Sequence, residues 1–404
     1  MRDSSTGMAP SVVGVVFGSV RRGFLVTLFA SLVLAAAPAA SAQPAPVVDA
    51  SAYLVANGAT GEVLLADHPD ERVQIASITK LMTAIVTLEH ARPNELVRIA
   101  RPASTVGESS VNLQPGEQIT VRDLLAAALI QSANDSAFAL AAHVGGKGGV
   151  PAFVRMMNRR AKELGLTETH FVRPDGLDVP GHVSSASDVL KLARVAMRRP
   201  LVRELVRKRT ATIAGGRNLF NWNDLLGDYP GLIGVKTGHT DDAGWCEVAA
   251  ARKNGVTIYA VILGSPERDE RNDDLAELLD WGFDRYVRAT LVEEGKEHAS
   301  AEIPFREDES LSLVAEDGAA AVVLKGSPLV ERVVAPAMVS LPVRKGDELG
   351  EIVVSANGEV VARRPLVAAE DVDEPGFTEQ AGWYAGHALD QAGDMVSDLF
   401  GGIL

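Results

Sequence analysis

Apolar and polar positions along this chain follow two rhythms. From Asp49 to about Tyr286, short alternating runs mix with segments whose apolar residues recur every three or four positions; from about Thr290 to Ala368, nearly every apolar run is short, β-branched and closed by Gly, Pro or Asp. Such a change marks a domain boundary. The first region opens with SAYLVANGATGEVLLA, two apolar strands joined across Asn57-Gly58 and Gly61, which predicts a hairpin. A helix is predicted to begin near Ser77. TVRDLLAAALIQSA has Thr120 placed to cap another, and VPAFVRMMNRRAKELG sets Val154, Met157, Ala161 and Leu164 along one helical face. Near the end of the region, LIGVKTG reads as a strand, and GWCEVAAARKNGVTIYAVILGS as two long strands turning at Asn254-Gly255. The simplest arrangement is an antiparallel sheet made of the terminal segments with the central helices packed on it, an α/β (α+β) domain over 43–289. A small all-β sandwich or barrel, with a hairpin at Asn357-Gly358, is expected over 290–370.

The two ends differ from both regions. Arg21 and Arg22 precede the apolar stretch FLVTLFASLVLAAAPAA, and small residues stand just before Gln43, so residues 1–42 read as a secretory signal. The string RRGFL suits the twin-arginine route and the general route equally. In the tail, 371–404, the residues Ala385, Leu389, Ala392, Val396, Leu399 and Ile403 fall roughly on one helical face. That face is read either as a peripheral membrane contact or as a segment that docks on protein. Its aspartates, with no Lys or Arg, weigh against anionic lipid.

Charge and cysteine content narrow the classes. Without the leader, the chain carries 36 basic and 52 acidic residues, a net charge of −16, which argues against nucleic acid as a partner. Cys246 is the single cysteine, so no internal disulfide forms; flanked by Trp245 and Val248 in a strand-like run, it is expected to be buried. The eight histidines stand without H-E-x-x-H or C-x-x-C company, so neither a metal nor another cofactor is expected. GGKGGV, Gly145 to Val150, lacks the Ser or Thr of a phosphate loop and reads as a turn. His182 and Asp178 are read as structural residues of a loop.

In ASITKLMTA, Ser77 and Lys80 stand three residues apart, hence on one face of a helix and within hydrogen-bonding reach. A serine hydroxyl attacks only when a base takes its proton, and lysine is such a base only when burial or another cation lowers its pKa from about 10.4. Taken alone, the pair equally suits an N-cap serine and a solvated lysine. Two further strings change the balance: QSAND supplies Ser132 and Asn134, and GVKTGHT supplies Lys236, Thr237 and Gly238 on a strand.

S-x-x-K, then S-x-N, then K-T-G, in that order in an exported chain, resembles the active-serine set of penicillin-binding proteins and serine β-lactamases. Within that group the chain resembles the low-molecular-mass D-alanyl-D-alanine carboxypeptidases over nearly all its mature length, through ASITKLMTA, QSAND, LGLTETHFVRPDGLD, VSSASDV, GVKTGHTDDAGW, LLDWGF and, in the β domain, KGDELGEIVV. The resemblance implies the transpeptidase fold shared by those proteins and β-lactamases. It also implies removal of the terminal D-alanine from peptidoglycan stem peptides through an acyl-enzyme on Ser77, with β-lactams as covalent inhibitors, at an extracytoplasmic site. In this scheme Lys80 accepts the serine proton and Lys236 is the second cation that keeps it partly neutral. Ser132 relays a proton to the leaving amine, and Asn134 orients Lys80 and binds the substrate amide. Gly238 admits an extended peptide to the strand edge, and the N-H groups of Ser77 and His239 form the oxyanion hole. For the substrate carboxylate, Thr237 is the first candidate, followed by Arg217 and Arg271, with Arg268 able to replace the latter. A serine β-lactamase and a non-catalytic wall-binding module are the alternatives. Between Asn134 and Lys236 this chain shows no string with the water-holding glutamate and asparagine common to the first, to which the β domain is also foreign; the second is at odds with the motif side chains all being present.

Overall fold

Because successive strand residues point to opposite faces, a fully apolar strand can pack against two partners at once, and the central strands of the first region do so. The computed structural model describes residues 33–35 and 44–383. These form two units, one of residues 44–288 with 322–326 and the other of 33–35, 289–321 and 327–383.

The short strand β1 (Val33–Ala35) belongs to the second unit. In the first unit the chain runs through β2 (Ala52–Asn57), β3 (Val63–Asp67), a 3-10 turn (Ala76–Thr79), α1 (Lys80–His90), β4 (Leu96–Arg98), β5 (Gln118–Thr120), α2 (Val121–Ile130), α3 (Asn134–Gly145), α4 (Gly149–Glu163), α5 (Ala186–Met197) and α6 (Pro200–Val206). It continues through β6 (Thr210–Ile213), β7 (Arg217–Phe220), β8 (Leu232–Thr240), β9 (Gly244–Lys253), β10 (Val256–Ser265) and α7 (Arg268–Asp284). The main sheet has the order β3-β2-β10-β9-β8 and is antiparallel, so the N-terminal hairpin joins the C-terminal strands as the sequence predicts. Asn254 and Gly255 both take positive φ, 50° and 84°, as the tight β9–β10 turn requires.

Residue parity along the strands splits the core in two. Val55, Ala249, Ala251, Ile258, Ala260 and Ile262 pack on Leu275, Leu278, Leu279 and Trp281 of α7, whereas Leu54, Ala56, Val248, Ala250, Val261 and Leu263 join the core of the central helices. The result is three layers, α7, sheet and helices. Thr120 caps α2 by accepting from the Asp123 N-H, and Ser185 caps α5 in the same way from Asp188. In α4, Met157 and Ala161 are buried with Phe153, while Leu164 lies one residue past the helix end. Gly146–Gly148 is a 3-10 turn, with Lys147 exposed.

The helix expected near Ser77 starts three residues later. Ala76 takes a left-handed φ of 45° and Ile78 donates to the Ile75 carbonyl, so the serine sits in a 3-10 turn and the α-helix begins at Lys80.

The second unit is all-β over 290–370, as expected, with residues 377–383 helical beyond it. After β11 (Tyr286–Val292) come β12 (Glu297–Ile303), β13 (Arg306–Ala315), β14 (Ala319–Leu324), β15 (Leu329–Val334), β16 (Glu348–Ala356) and β17 (Glu359–Ala368). Its sheet has the order β1-β15-β16-β17-β13-β12, and β11 pairs separately with β14. Leu311, Leu313, Ile352, Val354 and Leu366 form its centre, and Asn357-Gly358 turns the β16–β17 hairpin with φ of 49° and 81°. The expected leader, apart from 33–35, and the amphipathic face from Ala385 onward lie outside the described residues. Among the described residues no helix is long and apolar enough to cross a membrane.

Candidate active site

The 3-10 turn and the first residue of α1 hold Ser77 and Lys80 together, with Lys80 Nζ 2.7 Å from Ser77 Oγ. Lys80 is fully buried. Its Nζ also donates to Asn134 Oδ1 at 2.7 Å and to the Asp175 carbonyl at 2.7 Å. Both of these oxygens can only accept. A neutral amine has two N-H bonds and one lone pair, so when Lys80 is uncharged its hydrogens satisfy Asn134 and Asp175, and the lone pair is left facing the hydroxyl of Ser77.

Burial is the main force that lowers the Lys80 pKa, to about 8; Asp175 and Glu108 oppose it, Arg173 adds to the lowering, and Asp135 opposes. The sequence reading gave this task to Lys236. Lys236, itself buried, is held well below its ordinary value by burial first and by Lys80 second, and because repulsion between two cations is mutual, it adds to the burial of Lys80 in favouring a neutral amine.

Ser132 follows the end of α2 in a left-handed conformation, φ 64°, and Asn134 is the first residue of α3. Ser132 and Ala76 thus place two of the non-glycine residues with positive φ in or beside this site, which is where strained backbone tends to collect. Asn134 is turned by two bonds, since its Oδ1 accepts from Lys80 and its Nδ2 donates to the Gly107 carbonyl at 3.1 Å. Lys236 Nζ donates to Ser132 Oγ at 3.0 Å and to the Thr237 carbonyl at 2.8 Å. Two lysine–serine pairs therefore face one cleft, one from the helical side and one from the edge strand β8.

The cleft encloses a cavity of about 220 Å³ lined by Ser77, Glu108, Ser109, Ser132, Asn134, Trp222, Thr237, Gly238, His239, Trp245, Arg268 and Arg271. A larger hollow of about 710 Å³, bordered by Lys253, Asp280, Phe283 and Tyr286, has no serine in its lining, and its lysine is held by the Tyr229 hydroxyl at 2.9 Å and by the Asp280 carboxylate at 3.0 Å. His239 stacks on Trp245 with ring centroids 3.9 Å apart.

Of the sequence-predicted residues, Ser77, Lys80, Ser132, Asn134, Lys236, Thr237, Gly238, His239 and Arg271 come together. Arg217 does not. Its guanidinium is held by both carboxylate oxygens of Glu117, at 2.8 and 2.9 Å, and by the Val111 carbonyl at 2.8 Å, so it is neutralised away from the cleft lining. Arg268 reaches the cleft while gripping Asp224 through Nε and Nη2, at 2.8 and 2.5 Å. His182, read as structural, is buried against Thr79 Oγ1 at 2.7 Å; burial holds its pKa near 4, hence neutral.

Sequence reasoning missed Trp222, Glu108, Ser109 and the Asp175 carbonyl. The structure shows the tryptophan as a half-exposed indole two residues beyond β7, its Nε1 donating to the Gln131 carbonyl at 3.0 Å, features that the sequence does not carry. A backbone carbonyl carries no sequence signal either. Among the described residues no group of His, Cys, Asp and Glu could hold a metal ion.

The profile of the D-alanyl-D-alanine carboxypeptidases, peptidase S11, matches residues 38–267. The chain belongs to this family. Residues 286–374 match the C-terminal domain of penicillin-binding protein 5. D-alanyl-D-alanine carboxypeptidase DacF of Bacillus subtilis (strain 168) is 33% identical over 334 residues, covering 79% of this chain and 84% of the relative. The solved structure of penicillin-binding protein 5 from Haemophilus influenzae superposes with a TM-score of 0.60 at 29% identity, over 82% of this chain and all of that one. Penicillin-binding protein D2 of Listeria monocytogenes, solved in an ampicillin-bound form, gives 0.54 at 34% identity over 59% of this chain and all of that one.

Proposed function

We propose that the chain is a serine-type D-Ala-D-Ala carboxypeptidase that removes the terminal D-alanine from peptidoglycan stem peptides. Family membership supports the activity, and one geometric observation carries its assignment to residues: the buried Lys80 amine has two obligate acceptors and, as its third partner, the Ser77 hydroxyl. In this reading Lys80 takes the Ser77 proton while Oγ attacks the carbonyl of the penultimate D-alanine. The tetrahedral oxyanion is received by the backbone N-H groups of Ser77 and His239. Ser132, held by Lys236, returns a proton to the departing D-alanine amine. Water then hydrolyses the acyl-enzyme and the proton goes back to the Lys80 side of the site.

The remaining Asn134 N-H serves the substrate amide, and an extended peptide lies along β8 beside Gly238. Thr237 and Arg271 read the terminal carboxylate, with Arg268 beside them, while Arg217 braces the loop carrying Glu117 and Val111. A β-lactam acylates the same serine, in keeping with the ampicillin-bound Listeria relative. The division into a leader at 1–42, a catalytic domain at 43–289, a β domain at 290–370 and a tail, like export to the cell envelope and tail contact with a membrane, belongs to this proposal.

Purified protein incubated with a peptide ending in D-Ala-D-Ala should release free D-alanine, and penicillin should add its mass to the tryptic peptide containing Ser77. Rapid turnover of a cephalosporin without D-alanine release would instead mark a β-lactamase, and inertness to both a binding module.

A further inference from the structure

Thr237 and Glu247 are directly opposed across β8 and β9, as are His239 and Trp245, so these four side chains share one face of the sheet. Over that face lie Arg268 and Arg271 from the start of α7, their guanidiniums 5.7 and 5.8 Å from the Trp245 ring, with Asn223 and Asp224 beside them. The charges there are unevenly satisfied. Arg268 occupies Asp224 through both of its oxygens. Arg271, 1% exposed, sends Nη2 to Asn272 Oδ1 at 2.5 Å and towards Asp224 at 3.5 Å. Its Nε faces Glu247 Oε2 at 3.4 Å, yet neither atom has a hydrogen-bond partner.

Glu247 is completely buried, and only its Oε1 is bonded, by Asn223 Nδ2 at 2.6 Å. A carboxylate in this position is poorly compensated. Burial raises its pKa most, Arg271 opposes, Asp224 adds to the rise, and Lys236 and Asn223 oppose; the outcome is about 7. When Glu247 is ionised, Arg268, Arg271, Asp224 and Glu247 sum to zero; when it is protonated, the cluster carries one positive charge.

We propose that Glu247 is a positioning residue for the substrate's terminal carboxylate and acts through Arg271: ionised, it competes with that carboxylate for the guanidinium, and it releases Arg271 by taking up one proton from solvent as the substrate binds. The proposal rests on the carboxypeptidase reading. No covalent bond changes; a proton moves from water to the unpartnered Oε2. An arriving anion raises the proton affinity of Glu247, and by linkage a protonated Glu247 tightens binding of the anion. The effect belongs to binding, because Glu247 does not line the cleft itself.

Trp222 and Trp245 line the cleft and supply a fluorescence signal for binding in the S77A variant, which cannot be acylated. Between pH 6 and 8.5, the Kd of S77A for a D-Ala-D-Ala peptide should rise about tenfold, roughly the change expected when one coupled proton is lost across its pKa. In S77A/E247Q that step should be lost. Any slope contributed by Lys80 is common to both proteins, so only the step lost in S77A/E247Q is ascribed to Glu247. Asn223→Ala in the S77A background removes the hydrogen bond that favours the charged carboxylate and should move the midpoint to higher pH; it tests the same coupling with Glu247 in place should the first variant fail to fold. Parallel curves for S77A and S77A/E247Q, or an unmoved midpoint in S77A/N223A, overturn the inference. If the wild-type protein releases D-alanine while the curves stay parallel, the inference alone falls; if it releases none, the carboxypeptidase reading falls as well.

Discussion

A Cβ atom added to Gly238 would stand 2.9 Å from the backbone nitrogen of Ser77 and 2.9 Å from the Ile75 carbonyl oxygen. Edge strand and nucleophile turn therefore touch backbone to backbone, and neither partner is the end of a flexible side chain that could move aside. Gly238→Ala should push β8 off the turn and misplace the serine relative to its base. A shift of about 1 Å at a reacting centre costs on the order of a hundredfold in rate. Penicillin acylation followed by mass spectrometry should slow by about that factor while far-ultraviolet circular dichroism stays unchanged; an acylation rate within twofold of wild type would show that the strand and the turn can separate freely.

Lys80 sets a pH dependence with a definite sign. The amine must be neutral to accept the Ser77 proton, and with its pKa near 8 it is mostly charged below that pH. At saturating substrate, where the pH dependence of binding drops out, kcat should rise about tenfold per pH unit on the acid side and level off above pH 8. Lys80→Arg keeps a cation but removes a base that can be neutral, and should lower kcat by about 10²–10⁴. A flat profile between pH 6 and 8 would transfer the base role to another group.

These two residues also show what the sequence could and could not reveal. Ser77, Lys80, Ser132, Asn134 and Lys236 were legible because they stand in the three strings that carry the family resemblance, and the hairpins at Asn254 and Asn357 because a two-residue turn demands positive φ. The layers could be foreseen because β-strand parity and helical periodicity leave separate marks in the order of apolar residues. The 3-10 turn was not legible: it follows from the left-handed Ala76, a conformation set by tertiary contacts. Nor was the true source of the Lys80 shift, because burial is a property of everything packed around a side chain, and one of its three partners is the Asp175 carbonyl, a group every residue possesses.

Arg217 illustrates the opposite error, in which a chemically suitable side chain is already engaged. Its paired bonds to Glu117, a partner 100 residues away, hold the Glu117 carboxyl below its ordinary range. Arg217→Gln should therefore cost about 1–3 kcal/mol of stability through the lost charged hydrogen bonds and leave KM for a D-Ala-D-Ala peptide nearly unchanged. Arg271→Gln should raise KM at least tenfold. Thermal unfolding and steady-state kinetics on both variants separate the two roles, and a tenfold KM increase in R217Q would return Arg217 to the substrate.

Cys246 allows a sharp chemical test of the strand order around the cleft. It pairs with Gly238 across β8 and β9, is fully buried, and contacts the Ala243 carbonyl at 3.4 Å and the Gly264 N-H at 3.4 Å. Burial pushes its thiol up to about 11, so the nucleophilic thiolate is scarce at neutral pH and no alkylating agent can reach it in the folded chain. Iodoacetamide at pH 7.5 should leave the native protein unmodified and fully active, and should label it once after denaturation in guanidinium. Labelling of the native protein at a rate near that of a free cysteine would mean that β9 opens beside the catalytic strand, and D-alanine release should then fall in step with the label.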